Sequence, residues 1–263
     1  MPDEELMPNA IVDEAGAGEL QAEEAALFLD VDGTLLDLAP RPGAVVVPPS
    51  LVETLALTEK ALDGALALIS GRSIDDLDRL FAPLRLCASG VHGAQVRFTP
   101  RGADRPDEEA EGLPRRLWMA LTELLFDFPG TFAENKRYSF AVHYRTVPIL
   151  KGRLRERLNT LLTEHKDLDL VMLHGHSVFE MKSCGFDKGK AIERFIARKP
   201  FSGRVPIFVG DDATDEPGFA VVARLGGRAF SVGDLRPGAS FAFAGPESVR
   251  SWISAFASGE DHA

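Results

Sequence analysis

The sequence predicts an α/β protein in which a parallel sheet is interrupted by a smaller α+β insert. Short apolar runs without alternation, at residues 26–30, 65–70 and 205–210, are typical of strands covered on both faces. Such runs alternate with helical patterns near both ends of the chain, which indicates a parallel sheet with right-handed crossovers. This alternation of strand and helix patterns is interrupted near residues 99–112, where charged residues, Pro and Gly cluster.

Each predicted element follows from its local pattern. Ser50 with Glu53 forms a capping-box signature for the first helix, and Ser73 with Asp76 begins the second. The strands are predicted at 26–30, 65–70, 84–89, 131–136, 138–145, 168–173, 177–182, 205–210 and 228–232. The helices are predicted at 50–63, from 73, at 107–127, 148–165 and 188–198, from 215 and from 246. Between residues 107 and 183, paired strands alternate with single helices, and this pattern predicts the α+β insert.

The chain is therefore predicted to hold two domains and a tail. Residues 1–23 are acidic and rich in small residues, which predicts a flexible acidic tail. The parallel-sheet domain takes residues 24–105 and 184–263. The insert between them takes residues 106–183.

Composition and charge exclude several classes of partner. A formal net charge of -11 and a pI near 5.1 argue against nucleic acid or an anionic membrane as the main partner. The two cysteines, Cys87 and Cys184, are far apart, so neither a disulfide framework nor a zinc knuckle is indicated. Neither a secretory leader pattern nor an apolar run of membrane-spanning length is found. We expect a soluble, monomeric cytoplasmic protein.

Two acidic clusters follow predicted strands. Asp30 and Asp32 stand two residues apart in "DVDGT" after the first strand, and Asp211, Asp212 and Asp215 follow another in "GDDATDE". Open α/β sheets bind ligands beyond the carboxyl ends of their strands, so neighbouring strands would bring both clusters together. Oxygen ligands without nearby His or Cys favour Mg²⁺.

Two further motifs occupy similar places. In "ISGRS", the Ser70 hydroxyl and the Gly71 amide can donate to a phosphoryl oxygen, and Lys188 begins a helix in "DKGKA". Each motif alone has an ordinary explanation: a solvated loop, a helix cap or a surface lysine. All four in this order indicate phosphoryl transfer through an aspartyl-phosphate.

The four motifs resemble those of the haloacid dehalogenase-like phosphohydrolases over residues 26–255. The resemblance implies a Rossmann-like core with an inserted cap. It implies that Asp30 is the nucleophile and a Mg²⁺ ligand, and that Asp32 transfers protons while its backbone carbonyl binds the metal. Ser70 and Lys188 would bind the phosphoryl group, and Asp211 would complete the protein ligands.

The resemblance gives four further residues supporting roles. Asp212 and Asp215 would orient metal-bound water and Lys188. Gly71 and Arg72 would bind substrate, although an ion pair in the core explains Arg72 equally well.

The insert carries paired polar residues. Strand alternation places Glu134 with Lys136, His143 with Arg145, and Glu180 with Lys182 on shared faces. If the three strands are neighbours, acidic and basic groups converge in a way that suits the vicinal hydroxyls of a sugar. The alternative is an ordinary solvated face of an amphipathic sheet.

The segments "SGVHGA", "ENKRYSFAVHYR" and "FEMKSCGFDKGKA" resemble the trehalose-6-phosphate phosphatases. The resemblance implies a C2-type cap that closes over the disaccharide. It implies sugar contacts by Glu134, Lys136, His143, Arg145, Glu180 and Lys182, with His92 and Gly93 on the core side of the cleft. Many relatives carry Pro where this chain has "MKSCGF", so the loop that leads to Lys188 is expected to differ in shape from theirs.

The expected activity is Mg²⁺-dependent hydrolysis of trehalose 6-phosphate in trehalose biosynthesis. Two alternatives stay open at this point. The chain could hydrolyse another sugar phosphate, such as sucrose 6-phosphate or mannosyl-3-phosphoglycerate, or it could be a non-catalytic sugar-phosphate sensor.

Overall fold

A computed structural model describes residues 22–39, 44–100, 112–175 and 177–258. These residues fall into two compact units, one within Met1–Leu68 and Ile192–Ala263 and the other within Ile69–Ala191. Residues 1–21 of the predicted tail lie outside the described residues. The predicted domain boundaries at 105/106 and 183/184 stay a prediction.

The elements are numbered along the chain. The strands are β1 (Ala25–Leu29), β2 (Leu66–Ile69), β3 (Cys87–Gly90), β4 (Gln95–Arg97), β5 (Phe132–Asn135), β6 (Ser139–His143), β7 (Leu170–Gly175), β8 (Val178–Ser183), β9 (Val205–Gly210), β10 (Arg228–Val232) and β11 (Phe241–Phe243). The helices are α1 (Pro49–Ala61), α2 (Ile74–Leu80), α3 (Arg115–Leu125), α4 (Lys151–Glu164), α5 (Lys188–Ile196), α6 (Glu216–Arg224) and α7 (Pro246–Ser258). None of the helices in the described ranges has the length and apolar character needed to cross a membrane.

The first unit is built on a parallel sheet, as the apolar runs predict. Its strands lie in the order β11-β10-β9-β1-β2, and all neighbouring pairs are parallel. Every residue of β1 is buried, which agrees with a strand covered on both faces. The ring of Phe28 packs against Phe201 and Phe195, with centroid distances of 5.4 and 5.9 Å.

The first helix begins differently from the prediction. The capping box of Ser50 and Glu53 is wrong, because α1 starts at Pro49 and its N-cap residue is Pro48, without a side-chain hydrogen bond. Proline suits the first helical position, since its φ is already helical and the first turn needs no amide donor. The second helix starts as predicted: Ser73 Oγ accepts a hydrogen bond from the Asp76 amide at 3.1 Å.

Two strands were not predicted from the sequence. β4 pairs antiparallel with β3, and β11 extends the parallel sheet beside β10. Both are three residues long, which is too short for a recognisable period in the sequence.

The second unit contains an antiparallel sheet in the order β5-β6-β8-β7. One face of this sheet packs against α3 and α4. The buried residues of this core include Leu117, Leu121, Phe140, Val142, Leu154, Leu158, Phe179 and Met181. β6 lies between β5 and β8, so the three strands that carry the paired polar residues are neighbours, and the opposite face of the sheet carries the polar residues described below.

Candidate active site

The turn after β1 presents Asp30 at the carboxyl edge of the parallel sheet. The Asp30 side chain is buried and accepts a hydrogen bond from Thr34 Oγ1 at 3.2 Å. Gly33 has φ +85°, and a Cβ added there would lie 2.1 Å from Asp211 Oδ2. Only glycine meets both requirements, because another residue would be strained and would push the carboxylate away.

β1 and β9 are neighbours in parallel register, with Leu29 opposite Val209. Their ends therefore bring the two acidic motifs to the same edge, as the sequence predicts. One carboxylate oxygen each from Asp30, Asp211 and Asp215 lies within 4.8 Å of the other two. Asp30 and Asp215 are buried and Asp211 is half-buried, and an oxygen-only set of this kind fits a hard divalent cation such as Mg²⁺, which offsets the repulsion between the carboxylates.

Asp215 also holds the turn that carries the other acidic residues. It is fully buried, and its Oδ2 accepts hydrogen bonds from the amides of Asp211 and Asp212, both at 3.0 Å. Asp212 Oδ1 in turn accepts from the Thr214 amide and hydroxyl at 2.7 and 2.6 Å. The side chain of Asp32 is half-buried and stands outside the group of three carboxylates, while its predicted metal contact is the backbone carbonyl.

The motif "SGR" lies in the second unit and begins directly after β2. Ser70 is buried, and its Oγ accepts a hydrogen bond from the Arg72 amide at 3.1 Å. The ring of His92 lies against Gly71, where a Cβ would come within 2.7 Å of the imidazole. Gly71 therefore leaves room for this ring, and a side chain at position 71 would clash with it.

The loop that contains His92 also reaches the start of α5. Gly93 has φ +107°, and a Cβ on it would lie 2.6 Å from the Asp187 carbonyl oxygen. Lys188, the next residue, is buried at the first position of α5. Val91 and His92 also have positive φ values, 47° and 53°. Such values are rare for a β-branched residue and tend to occur at functional sites.

The face of the antiparallel sheet opposite α3 and α4 carries most of the predicted sugar-binding residues; we call it the polar face. Across the strands, Glu134 pairs with Ala141 and Ala141 with Glu180, so all three side chains point to the same side. The other members of this face on or next to β5, β6 and β8 are Phe132, Lys136, Ser139, His143, Val178 and Lys182, and β7 adds Val171 and Leu173. Arg145 lies exposed in the turn after β6.

Several polar groups surround the Glu180 carboxylate on this face. Its Oε1 accepts from Ser139 Oγ at 2.5 Å, and its Oε2 accepts from Lys136 Nζ at 3.2 Å. His92 Nε2 stands 3.7 Å from the same Oε2. Burial by itself would raise the pKa of the Glu180 carboxyl, but these three neighbours outweigh burial and hold the pKa far below its ordinary value.

His92 is buried beside this carboxylate. Burial lowers the pKa of its imidazole despite the nearby Glu180, so the ring is neutral at pH 7. Its Nδ1 is buried without a hydrogen-bond partner among the described residues. The proton therefore belongs on Nε2, which faces Glu180.

The other acidic residue of the polar face is less enclosed. His143 Nε2 lies 3.2 Å from Glu134 Oε2, and this contact is the main cause that lowers the pKa of Glu134. The His143 ring also stacks on Phe132, with centroids 4.4 Å apart and planes at 8°. Lys182 is buried and donates to the carbonyls of Ser183 and Phe186, on the segment that leads to α5.

Sequence reasoning missed four residues that lie beside predicted site residues of their own unit: Thr34, Phe132, Ser139 and Thr214. Ser139 was missed because a serine in a strand carries no distinctive sequence signal. Its role depends on the strand register, which places it beside Glu180. For Phe132 a signal existed, since it precedes Glu134 by two positions and so shares its face.

Known proteins are similar in sequence to most of this chain. The family model described as trehalose-phosphatase matches residues 28–236. A trehalose-6-phosphate phosphatase of Escherichia coli K12 is 40% identical over 237 residues, covering 89% of this chain and 87% of that protein. A probable trehalose-phosphate phosphatase of Sinorhizobium fredii is 40% identical over 212 residues, covering 81% and 79%.

Solved structures show the same fold. The C-terminal domain of the Candida albicans trehalose-6-phosphate phosphatase superposes with a TM-score of 0.77 at 19% identity, covering 90% of this chain and 92% of that one. A trehalose-6-phosphate phosphatase related protein gives a TM-score of 0.70 at 23% identity, covering 88% and 96%. The fold is that of the haloacid dehalogenase-like hydrolases, which confirms the predicted class. Within that class, the chain belongs to the trehalose-phosphatase family.

Proposed function

We propose that this protein hydrolyses trehalose 6-phosphate to trehalose and phosphate. The observation that carries the proposal is the convergence of Asp30, Asp211 and Asp215 at the edge of β1 and β9, inside the region that matches the trehalose-phosphatase family. The similar proteins of Escherichia coli and Sinorhizobium fredii carry names that state the same activity.

In the proposed reaction, a carboxylate oxygen of Asp30 attacks phosphorus and forms an aspartyl-phosphate. Asp32 protonates the departing sugar oxygen, so that trehalose leaves as an alcohol. Asp32 then takes a proton from water, which attacks the aspartyl-phosphate and releases inorganic phosphate. Asp30 is thereby regenerated as a carboxylate, and Asp32 as an acid.

The proposed metal ligands are Asp30, the carbonyl of Asp32, and Asp211, with Asp212 and Asp215 orienting water and Lys188. Mg²⁺ bound there would supply positive charge to the phosphoryl oxygens. The residues proposed to bind the phosphoryl group are Ser70, the Gly71 amide, Arg72 and Lys188. Their hydroxyl, amide and cationic groups suit a phosphate dianion.

The residues proposed to contact the sugar are His92, Gly93, Glu134, Lys136, His143, Arg145, Glu180 and Lys182. The closely spaced donors and acceptors of the polar face support this proposal, since sugar hydroxyls donate and accept at once. Glu180 retains acceptor capacity, because a carboxylate has about four lone-pair positions and the described neighbours occupy three.

The test is phosphate release from a panel of sugar phosphates, with and without Mg²⁺. We expect kcat/KM for trehalose 6-phosphate to exceed that for glucose 6-phosphate by about 100-fold or more, because a second ring adds binding contacts. Equal values would contradict the disaccharide substrate. Preference for sucrose 6-phosphate or mannosyl-3-phosphoglycerate would favour those alternatives, and binding without release would favour a sensor.

The remaining proposals concern setting and organisation. We propose a cytoplasmic monomer that acts on a small sugar phosphate and binds neither nucleic acid nor membrane. The net charge of -11 supports the absence of both partners, because nucleic acid and anionic membranes would repel the protein. We also propose that residues 106–183 form the cap and that residues 24–105 and 184–263 form the core.

A further inference from the structure

Phe132 is a large apolar side chain that remains exposed on the polar face. It begins β5 and pairs across the strands with His143, and 59% of its surface is exposed. Its ring lies parallel to the imidazole of His143 at 4.4 Å. Because Glu134 Oε2 lies 3.2 Å from Nε2 at the edge of that imidazole, the position of the stacked pair is restrained. One face of the Phe132 ring is covered and the other remains accessible.

The neighbours of this ring are hydrogen-bonding groups. The next cross-strand row contains Glu134 and Glu180, and the ammonium of Lys136 lies 3.2 Å from the Glu180 carboxylate. The polar face thus presents a flat apolar surface beside acceptors and a donor. Small-molecule sites commonly combine apolar and aromatic surface with a few polar groups that fix orientation.

A glucopyranose ring has the complementary chemistry. Its hydroxyl groups lie around the edge of the ring, while its axial hydrogens form a flat apolar face. An aromatic side chain can cover that face, and adjacent charged groups can bind the hydroxyls. An exposed aromatic ring without polar neighbours could cover the apolar face but could not bind the hydroxyl groups.

We propose that Phe132, held by the stacked ring of His143, binds the apolar face of a pyranose ring of the substrate and so contributes to sugar specificity. This proposal rests on the proposed function. It adds a specificity-determining residue that is not one of the hydrogen-bonding groups already assigned to the sugar.

Phe126 offers a matched control. It is also an exposed phenylalanine, with 86% of its surface accessible, but it stands at the end of α3, the helix that packs on the opposite face of the sheet. Replacing it removes the same apolar surface without touching the polar face.

The experiment compares Phe132→Ala, Phe132→Leu, Phe132→Trp and Phe126→Ala on the sugar phosphate that the wild type hydrolyses best. We expect Phe132→Ala to raise KM about tenfold with kcat within about threefold, since a stacking contact aids binding rather than chemistry. Phe132→Leu should behave like alanine because it lacks a flat ring. Phe132→Trp and Phe126→Ala should stay close to wild type.

Other outcomes would contradict the stacking role of Phe132 or the proposed function. Wild-type KM in Phe132→Leu, equal effects of the alanine substitutions at 132 and 126, or a fall in kcat at unchanged KM would overturn the stacking role while leaving the proposed function intact. Thermal unfolding of each variant separates these results from misfolding. A wild type that hydrolyses no sugar phosphate would end the proposed function and this proposal with it.

Discussion

The acidic edge of the parallel sheet and the polar face of the antiparallel sheet both concentrate charge, but they do so in opposite ways. At the edge, carboxylates of one sign approach within 4.8 Å. On the polar face, acidic and basic groups alternate, as in the 3.2 Å contacts of Lys136 with Glu180 and of His143 with Glu134.

The difference separates two kinds of function. Like charges gathered in a buried position suit a cation and the transfer of a charged group. Alternating charges stabilise one another and still offer donors and acceptors, which suits a neutral, polyhydroxylated ligand. The edge is therefore expected to determine the rate of the reaction, and the polar face to determine which substrate is bound. The three predictions below test this division.

The largest effect is expected at the edge. Asp30→Asn should lower steady-state phosphate release by at least about 10⁴-fold, because the amide is a poor nucleophile and no aspartyl-phosphate forms. The matched control is Asp37→Asn on the same connection, where the side chain is 74% exposed and pairs with Arg250; it should keep near wild-type turnover. Substantial turnover by well-folded Asp30→Asn protein would contradict the mechanism.

A smaller effect is expected for metal binding. Asp211→Asn should weaken Mg²⁺ binding by at least about tenfold, since it replaces a charged ligand by a neutral one. The readout is the rise in Tm on adding Mg²⁺, which follows the affinity of the folded state independently of activity. Asp234→Asn, in the exposed loop after β10, is the control. If Asp211→Asn shows the full wild-type rise in Tm, Asp211 is not a ligand.

The polar face should respond most clearly in stability. Glu180→Gln should lower the free energy of unfolding at pH 7 by roughly 2–4 kcal/mol, because it removes the charge that Lys136 and Ser139 contact. The pKa of Glu180 in the folded protein lies far below its ordinary value of 4.5. The stabilisation is therefore complete above pH 4.5 and is lost as the pH falls.

The difference between wild type and Glu180→Gln should thus shrink below about pH 4.5, measured by denaturant unfolding. Glu134→Gln is the control, because its side chain is 46% exposed and its contact with His143 is open to solvent. Its effect should be smaller at every pH. A difference for Glu180→Gln that stays constant between pH 7 and pH 3 would show that its charge does not stabilise the fold.

Much of the molecule could be predicted from local sequence patterns. The apolar run before Asp30 and the run that ends at Gly210 both became buried parallel strands, because a strand covered on both faces needs apolar side chains at every position. The alternation around Glu134 placed it on one face with Lys136, and the alternation around Glu180 placed it on one face with Lys182, for an equally local reason. Local patterns failed at β4 and β11, which are only three residues long, and at the start of α1, where the helix begins at Pro49 rather than after a Ser50 cap.

Residue type and spacing were enough to predict the fold class, the acidic motifs after the strands, and the polar alternation around Glu134 and Glu180. The strand order and register of the folded protein place β1 beside β9, and they bring Ser139, Lys136 and His92 around Glu180. These contacts join residues far apart along the chain. Their formation depends on strand order and register, which local spacing does not specify.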